Sequence, residues 1–258
     1  VKNQDAAENS PQKPAVEGGN EEQKPRQHRM LSFVRRGGRL TTAQERAMRE
    51  LAPEYLLTPE RGDGVTSVAA GVEADPHEWF GREAELVVEI GSGQGHQVTA
   101  AAAAHPERDF LAVEVYIGGL ARTMVLAEKL DVHNLRLIEA NAPEVLEHLL
   151  PGESVSEIWI FFPDPWHKAK HNKRRLINND FVAILARALK PGGVVRMATD
   201  WEDYAEQMRD VFDGSDRLFK RDFAGDWAPR FEERVLTAFE QKGIDKGRII
   251  RDLAYKKL

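Results

Sequence analysis

The sequence contains no cysteine, which excludes disulfide frameworks, thiolate metal sites and cysteine nucleophiles. It also lacks any apolar run near the roughly 18 residues needed to cross a bilayer. The N-terminus carries no apolar stretch of the secretory type, so the expectation is a cytoplasmic protein with no membrane association. Aromatic residues are missing from residues 1–28, where Pro11, Pro14 and Pro25 lie among Glu, Gln, Asn and Lys. Such a segment buries too little apolar surface to offset its ordering entropy, and it reads as a disordered polar tail. No internal repeat is present. Basic charge is in deficit overall, the formal net charge being -6, which at first argues against a polyanionic partner. Whole-chain charge is a poor guide where basic residues cluster, and here they cluster twice.

With 258 residues, 41% of them hydrophobic, the chain has room for one domain of about 200 residues plus an appendage. Residues 29–84 read as a basic extension. Phe33-Val34-Arg35-Arg36-Gly37-Gly38-Arg39-Leu40 leads into a helix that Thr41 or Thr42 caps and that runs to about Leu51. Five arginines lie between Arg35 and Arg49, suited either to a solvated helix face or to a polyanion. Residues 85–258 alternate short apolar strands with helices. Strands are expected at Leu86–Ile90, Phe110–Val115, Leu135–Ile138, Glu157–Phe162 and Val194–Ala198, and helices at Val98–Ala104, Gly119–Leu130, Val145–Leu150, Phe181–Leu189 and Tyr204–Phe212. Leu218–Phe223 and Ile249–Tyr255 complete seven strands. The alternation predicts an α/β fold, a mostly parallel seven-stranded sheet with helices on both faces. In such folds ligands sit beyond the C-terminal strand ends, where strand order reverses.

The motifs fall at those ends. Gly91-Ser92-Gly93-Gln94-Gly95 follows the first strand directly, and glycines there allow a tight turn and close backbone approach to a ligand. Glu114, about 20 residues on at the end of the second strand, suits paired contact with ribose hydroxyls. A dinucleotide prefers G-x-G-x-x-G, whereas the spacing here is G-x-G-x-G with Glu89 just before it. A carboxylate at that point repels a pyrophosphate and attracts an ammonium, which favours S-adenosylmethionine. Asn141, after the third strand, offers donor and acceptor to an adenine edge, or simply forms a turn. After the fourth strand comes Phe161-Phe162-Pro163-Asp164-Pro165-Trp166-His167-Lys168, where two prolines stiffen the backbone presenting Asp164. Trp166 suits either base stacking or packing. Lys168-Ala169-Lys170-His171-Asn172-Lys173-Arg174-Arg175 holds five Lys/Arg in eight residues, suited to a solvated face or to contacting phosphates, and its place directly after Asp164 favours the second. His167 and His171 have i, i+4 spacing without a further ligand, so no metal site is expected.

The Phe161–Lys168 motif and its basic run resemble the signature of bacterial tRNA (guanine-N7-)-methyltransferases, which act on guanine 46 of the variable loop. Arg39-Leu40-Thr41-Thr42-Ala43-Gln44, Ala198-Thr199-Asp200-Trp201 and Thr237-Ala238-Phe239-Glu240 are similar to further elements of that family, in the same order. The likeness runs from Phe33 to Leu258. It implies a class I, Rossmann-like methyltransferase with S-adenosylmethionine as cofactor, tRNA as partner and no obligate protein partner. The family's cofactor positions carry over to Glu89, Glu114, Asn141 and Asp164, with Gly91 and Gly93 in the glycine turn, and Asp164 is the expected catalytic residue. Substrate positions carry over to Lys168, Asp200, Thr237, Ala238, Phe239 and Glu240. The RNA contact carries over to Lys170, His171, Asn172, Lys173, Arg174 and Arg175. Asn141 stands where the family usually has Asp, and Ala238 where lysine is common. Two other classes fit the residues less well: a nicotinamide-dependent dehydrogenase and a non-catalytic RNA-binding module.

Overall fold

The computed structural model describes residues 32–33 and 38–258. The polar tail expected over residues 1–28 lies outside the described residues, as do Arg35 and Arg36. The described residues belong to one unit.

Its centre is a sheet of β1 (Leu56–Leu57), β2 (Leu86–Ile90), β3 (Asp109–Glu114), β4 (Leu135–Glu139), β5 (Val155–Phe161), β6 (Leu189–Thr199), β7 (Phe219–Arg221) and β8 (Arg251–Lys257). The spatial order is β1-β4-β3-β2-β5-β6-β8-β7. All pairings from β1 to β6 are parallel, and β8 runs antiparallel to both β6 and β7. The sheet thus has eight strands rather than the seven expected. The addition, β1, is two residues long and pairs with Leu137 and Ile138. So short a strand has no period-2 signal of its own, and only its neighbour makes it a strand.

All five residues of β2 are buried, because helices cover both faces and leave no solvent side to alternate with. Short helices α2 (Ala52–Tyr55), α3 (Pro76–Phe80) and α6 (Ala142–Glu144) lie in the connections. On one face, α4 (His96–Ala104) and α5 (Ile117–Leu130) pack on Phe110, Leu137 and Trp159. On the other, α7 (Asn179–Ala188) and α8 (Glu202–Asp213) pack on Leu111, Ile158 and Met197.

The extension is fastened to this core. Helix α1 (Thr42–Glu50) starts with a capping box between Thr41 and Gln44, which satisfies two orphan N–H groups. The Gln44 amide then donates to the Gly118 carbonyl at 2.8 Å, and Ala47 is fully buried against the α5 face. Arg46 pairs with Glu50 and Glu128, and Arg49 with Glu50, so two of the five arginines already have acidic partners. No helix among the described residues is long and apolar enough to cross a membrane.

Strand order reverses between β2 and β5. The turns that follow these two strands therefore face one crevice.

Candidate functional site

That crevice holds a cavity of about 260 Å³ onto which four strand ends open. Gly91 and Gly93 follow β2, Glu114 ends β3 and Tyr116 precedes α5, Asn141 follows β4, and Phe162 and Asp164 follow β5. Ser32, Phe33 and Phe239 complete the wall from distant parts of the sequence.

The glycine turn has a physical basis. Gly93 has φ +58° and Gly91 φ +73°, and at neither would an added Cβ meet a protein atom within 4 Å. The backbone is therefore bare on its open side. Gly119 is constrained differently: its Cβ would stand 2.1 Å from the Gly93 carbonyl, so the first turn of α5 abuts the glycine loop. The Gly93 N–H donates to one Glu114 oxygen at 2.8 Å, and the Val115 and Tyr116 N–H groups donate to the other at 2.7 and 3.0 Å. Burial pushes the Glu114 carboxyl above the ordinary range, these three donors oppose that, and the nearby Asp164 charge adds to it.

Glu89 does not line the cavity. It is 4% exposed; it accepts the Val98 N–H, and burial pushes its pKa to about 8. Its Oε2 has no partner among the described residues. A buried acceptor left open is costly, and it is suited to a cationic ligand group. Asn141 donates to Glu144 at 2.9 Å, and Glu144 in turn accepts the Val68 N–H at 2.8 Å. Those bonds anchor the turn after β4.

Asp164 is exposed on a loop bounded by two left-handed residues, Phe162 at φ +54° and Trp166 at φ +49°. Each costs roughly 1–2 kcal/mol without a glycine, so outside contacts must hold the loop. The Phe162 N–H donates to the Ala198 carbonyl at 2.8 Å. The Trp166 indole donates to the Ser32 carbonyl at 3.0 Å. His171 stacks on the Trp166 ring at 5.9 Å, and the Arg174 guanidinium lies 4.9 Å from it, so this ring is engaged in packing.

The basic run divides by side-chain direction. Lys168, Lys170 and Lys173 are exposed, while His171, Asn172 and Arg174 are half-buried. Desolvation and the surrounding cations, Lys170 first among them, hold the His171 ring below the usual histidine range. Arg175 departs from the expected RNA strip, being only 3% exposed and bound to Pro165, Asp203 and Gln207.

The expected substrate residues also separate. Asp200 is bound by Arg248 at 2.6 Å. Thr237 caps α9 (Ala238–Asp245) by accepting the Glu240 N–H at 3.2 Å. Ala238 opens that helix, and Phe239, 56% exposed, rests against Phe162 with ring centroids 5.6 Å apart. Glu240, expected at the substrate, is turned inward in this structure. It is 1% exposed and accepts from Arg234 at 2.9 Å, while Arg234 also binds Asp252. Successive helical residues point roughly 100° apart, so one turn sends Phe239 to the cavity and Glu240 to the interior.

Sequence reasoning did not place Phe33 or Tyr116 at the cavity. Tyr116 was within reach, lying two residues after Glu114 at a strand end. Phe33 was not, because nothing in its local sequence shows that it lines the cavity.

The family described as "Putative methyltransferase" matches residues 83–253. The chain is 45% identical over 226 residues to the tRNA (guanine-N(7)-)-methyltransferase of Nitrosomonas eutropha, covering 88% of this chain and 96% of that one. It is 44% identical over 230 residues to the enzyme of the same name from Cutibacterium acnes, covering 89% and 83%. It is 42% identical over 277 residues to that of Arthrobacter sp. (strain FB24), covering 89% and 87%. Among solved structures, the 16S rRNA methyltransferase KamB matches with a TM-score of 0.50 at 15% identity, over 89% of this chain and 98% of that one. This last likeness is one of fold.

Proposed function

The chain belongs to the tRNA (guanine-N(7)-)-methyltransferase family, and from that membership we propose that it transfers a methyl group from S-adenosylmethionine to N7 of a guanine in tRNA, namely guanine 46. The observation that carries this reading is the meeting of Gly93, Glu114, Asn141 and Asp164 in one cavity at the strand-order switch.

The residues fit the cofactor. The open acceptor of Glu89 and the bare backbone at Gly91 and Gly93 suit a compact, cationic nucleoside ligand. Glu114, fixed by three N–H groups, would receive ribose hydroxyls on its remaining lone pairs. Asn141 would meet the adenine edge, and Glu89 would balance the ammonium. S-adenosylmethionine, when bound, supplies a methyl group on a positively charged sulfur, which a neutral ring nitrogen with an in-plane lone pair takes without prior loss of a proton.

No general base is therefore required, and the protein's contribution is alignment and charge. Asp164 would hold the guanine by accepting hydrogen bonds and would stabilise the positive charge that grows on the ring. Phe239 and Phe162 would offer apolar faces to a base drawn from its stack. Lys168 and Asp200 would orient nucleotide groups, and Lys170 and Lys173 would meet backbone phosphates. Since tRNA is its substrate, the cytoplasm is its working compartment. Mass spectrometry of nucleosides from tRNA incubated with the protein and S-adenosylmethionine tests the proposal. Appearance of 7-methylguanosine at position 46 supports it. Its absence, with substrate tRNA known to be unmodified, overturns it.

A further inference from the structure

One cation of the basic run serves the loop and not its surface. Arg175 follows the 3-10 helix Ala169–Arg174, and its Nε donates to the Pro165 carbonyl at 2.9 Å, in the residue after Asp164. Its Nη1 donates to Gln207 at 2.7 Å, and its Nη2 to both Asp203 oxygens at 2.9 Å. The guanidinium lies 4.8 Å from the centre of the Tyr204 ring. Asp203, Tyr204 and Gln207 all belong to α8. From that helix Gln207 donates to the Ile177 carbonyl at 3.0 Å, and the Tyr204 hydroxyl accepts the Ile177 N–H at 3.1 Å. The segment from Pro165 to Ile177 is thus fastened to α8 at both ends.

The loop needs such a fastening. Prolines at 163 and 165 cannot donate, and residues 163–167 make no backbone–backbone hydrogen bond among the described residues. A guanidinium presents five N–H groups in a rigid plane, and a lysine ammonium cannot reproduce that fork. We propose that Arg175 is a positioning residue for Asp164, holding that carboxylate at the cavity through the Pro165 carbonyl, and is not a contact to RNA.

The inference rests on the methyl-transfer reading, and the test keeps the two apart. Arg175→Gln, Arg175→Lys and the double variant Asp203→Ala/Gln207→Ala are compared with the wild-type full chain. In Arg175→Gln, kcat falls on the order of 100-fold, the scale of a misplaced catalytic group. KM for tRNA and the salt dependence of tRNA binding stay within error. Arg175→Lys gives little rescue, and the double variant falls in the same direction. Without any ligand, amide deuterium exchange at Phe162 and His171, whose N–H groups bond to the Ala198 and Lys168 carbonyls on either side of the loop, quickens in Arg175→Gln. Retained kcat with a salt slope shallower by about one unit, as loss of a phosphate contact gives, overturns the proposal. Should Arg175→Gln fail to fold, the double variant decides, since Asp203 is 57% exposed. Unchanged kcat and unchanged exchange there also overturn it. An inactive wild type would count against methyl transfer alone, and the exchange readout would still test the clamp.

Discussion

The Gly93 N–H donates to the Glu114 carboxylate at 2.8 Å, tying the turn after β2 to the end of β3. The acid is therefore already held before any ribose reaches it, and its own side-chain entropy is not lost on binding. Replacing Glu114 by Ala should weaken S-adenosylmethionine binding by roughly 1.5–3 kcal/mol, the scale of hydrogen bonds to a charged group. Titration calorimetry reads this directly. Unchanged affinity would remove Glu114 from the cofactor site.

Asp164 stands exposed on its loop between Pro163 and Pro165, so Asp164→Asn should leave the thermal midpoint nearly unchanged. Methyl transfer should fall on the order of 100- to 1000-fold, as when one charge-stabilising group is lost. Near-normal single-turnover rates would exclude it from the reaction.

Lys170 and Lys173 are the exposed cations of the run after Ala169, while Arg174 is engaged with Trp166. Replacing both lysines by Ala should weaken tRNA binding and flatten the log-affinity against log-salt slope by roughly one and a half to two units. Cofactor affinity should be unmoved. A slope identical to wild type would shift RNA recognition to the basic extension.

Glu89 gives a pH dependence in the ligand-free protein. Its folded-state pKa, about 8, lies above the unfolded value of 4.5, so the stability it contributes is full below about 4.5. That contribution is lost as pH rises through about 8, at up to roughly 1.4 kcal/mol per unit. Glu89→Gln, which mimics the protonated form, should therefore gain on wild type between pH 5 and 9 in denaturant melts. Parallel stability curves would show that Glu89 is ionised in the free protein.

Much of the scaffold was legible because its signals are local. Leu86–Ile90 is an unbroken apolar run stopped by glycine, and β2 occupies those same residues. Thr41 was one of two candidate caps, and its box with Gln44 is formed. The glycine turn and Glu114 were recognised because both sit at strand ends, and strand ends in a parallel sheet share one rim.

Side-chain direction was not legible in the same way. Arg175 reads like its neighbours in the basic run, and Glu240 like a partner of Phe239, yet both are buried. Their partners explain this, acceptors for Arg175 and a donor for Glu240. Asp203 and Gln207 come from α8, and Arg234 comes from the loop before α9. Phe33 lines the cavity although it lies far in sequence from every strand end there. The sequence by itself determined the alternation, the turns and the chemistry available at each strand end, since those depend on residues a few positions apart. Only the tertiary structure decided which charged groups face the cavity and which hold it in shape. A buried ion is tolerated only where a partner offsets its desolvation, and for Arg175 that partner, Asp203, belongs to a different element, of which local spacing carries no record.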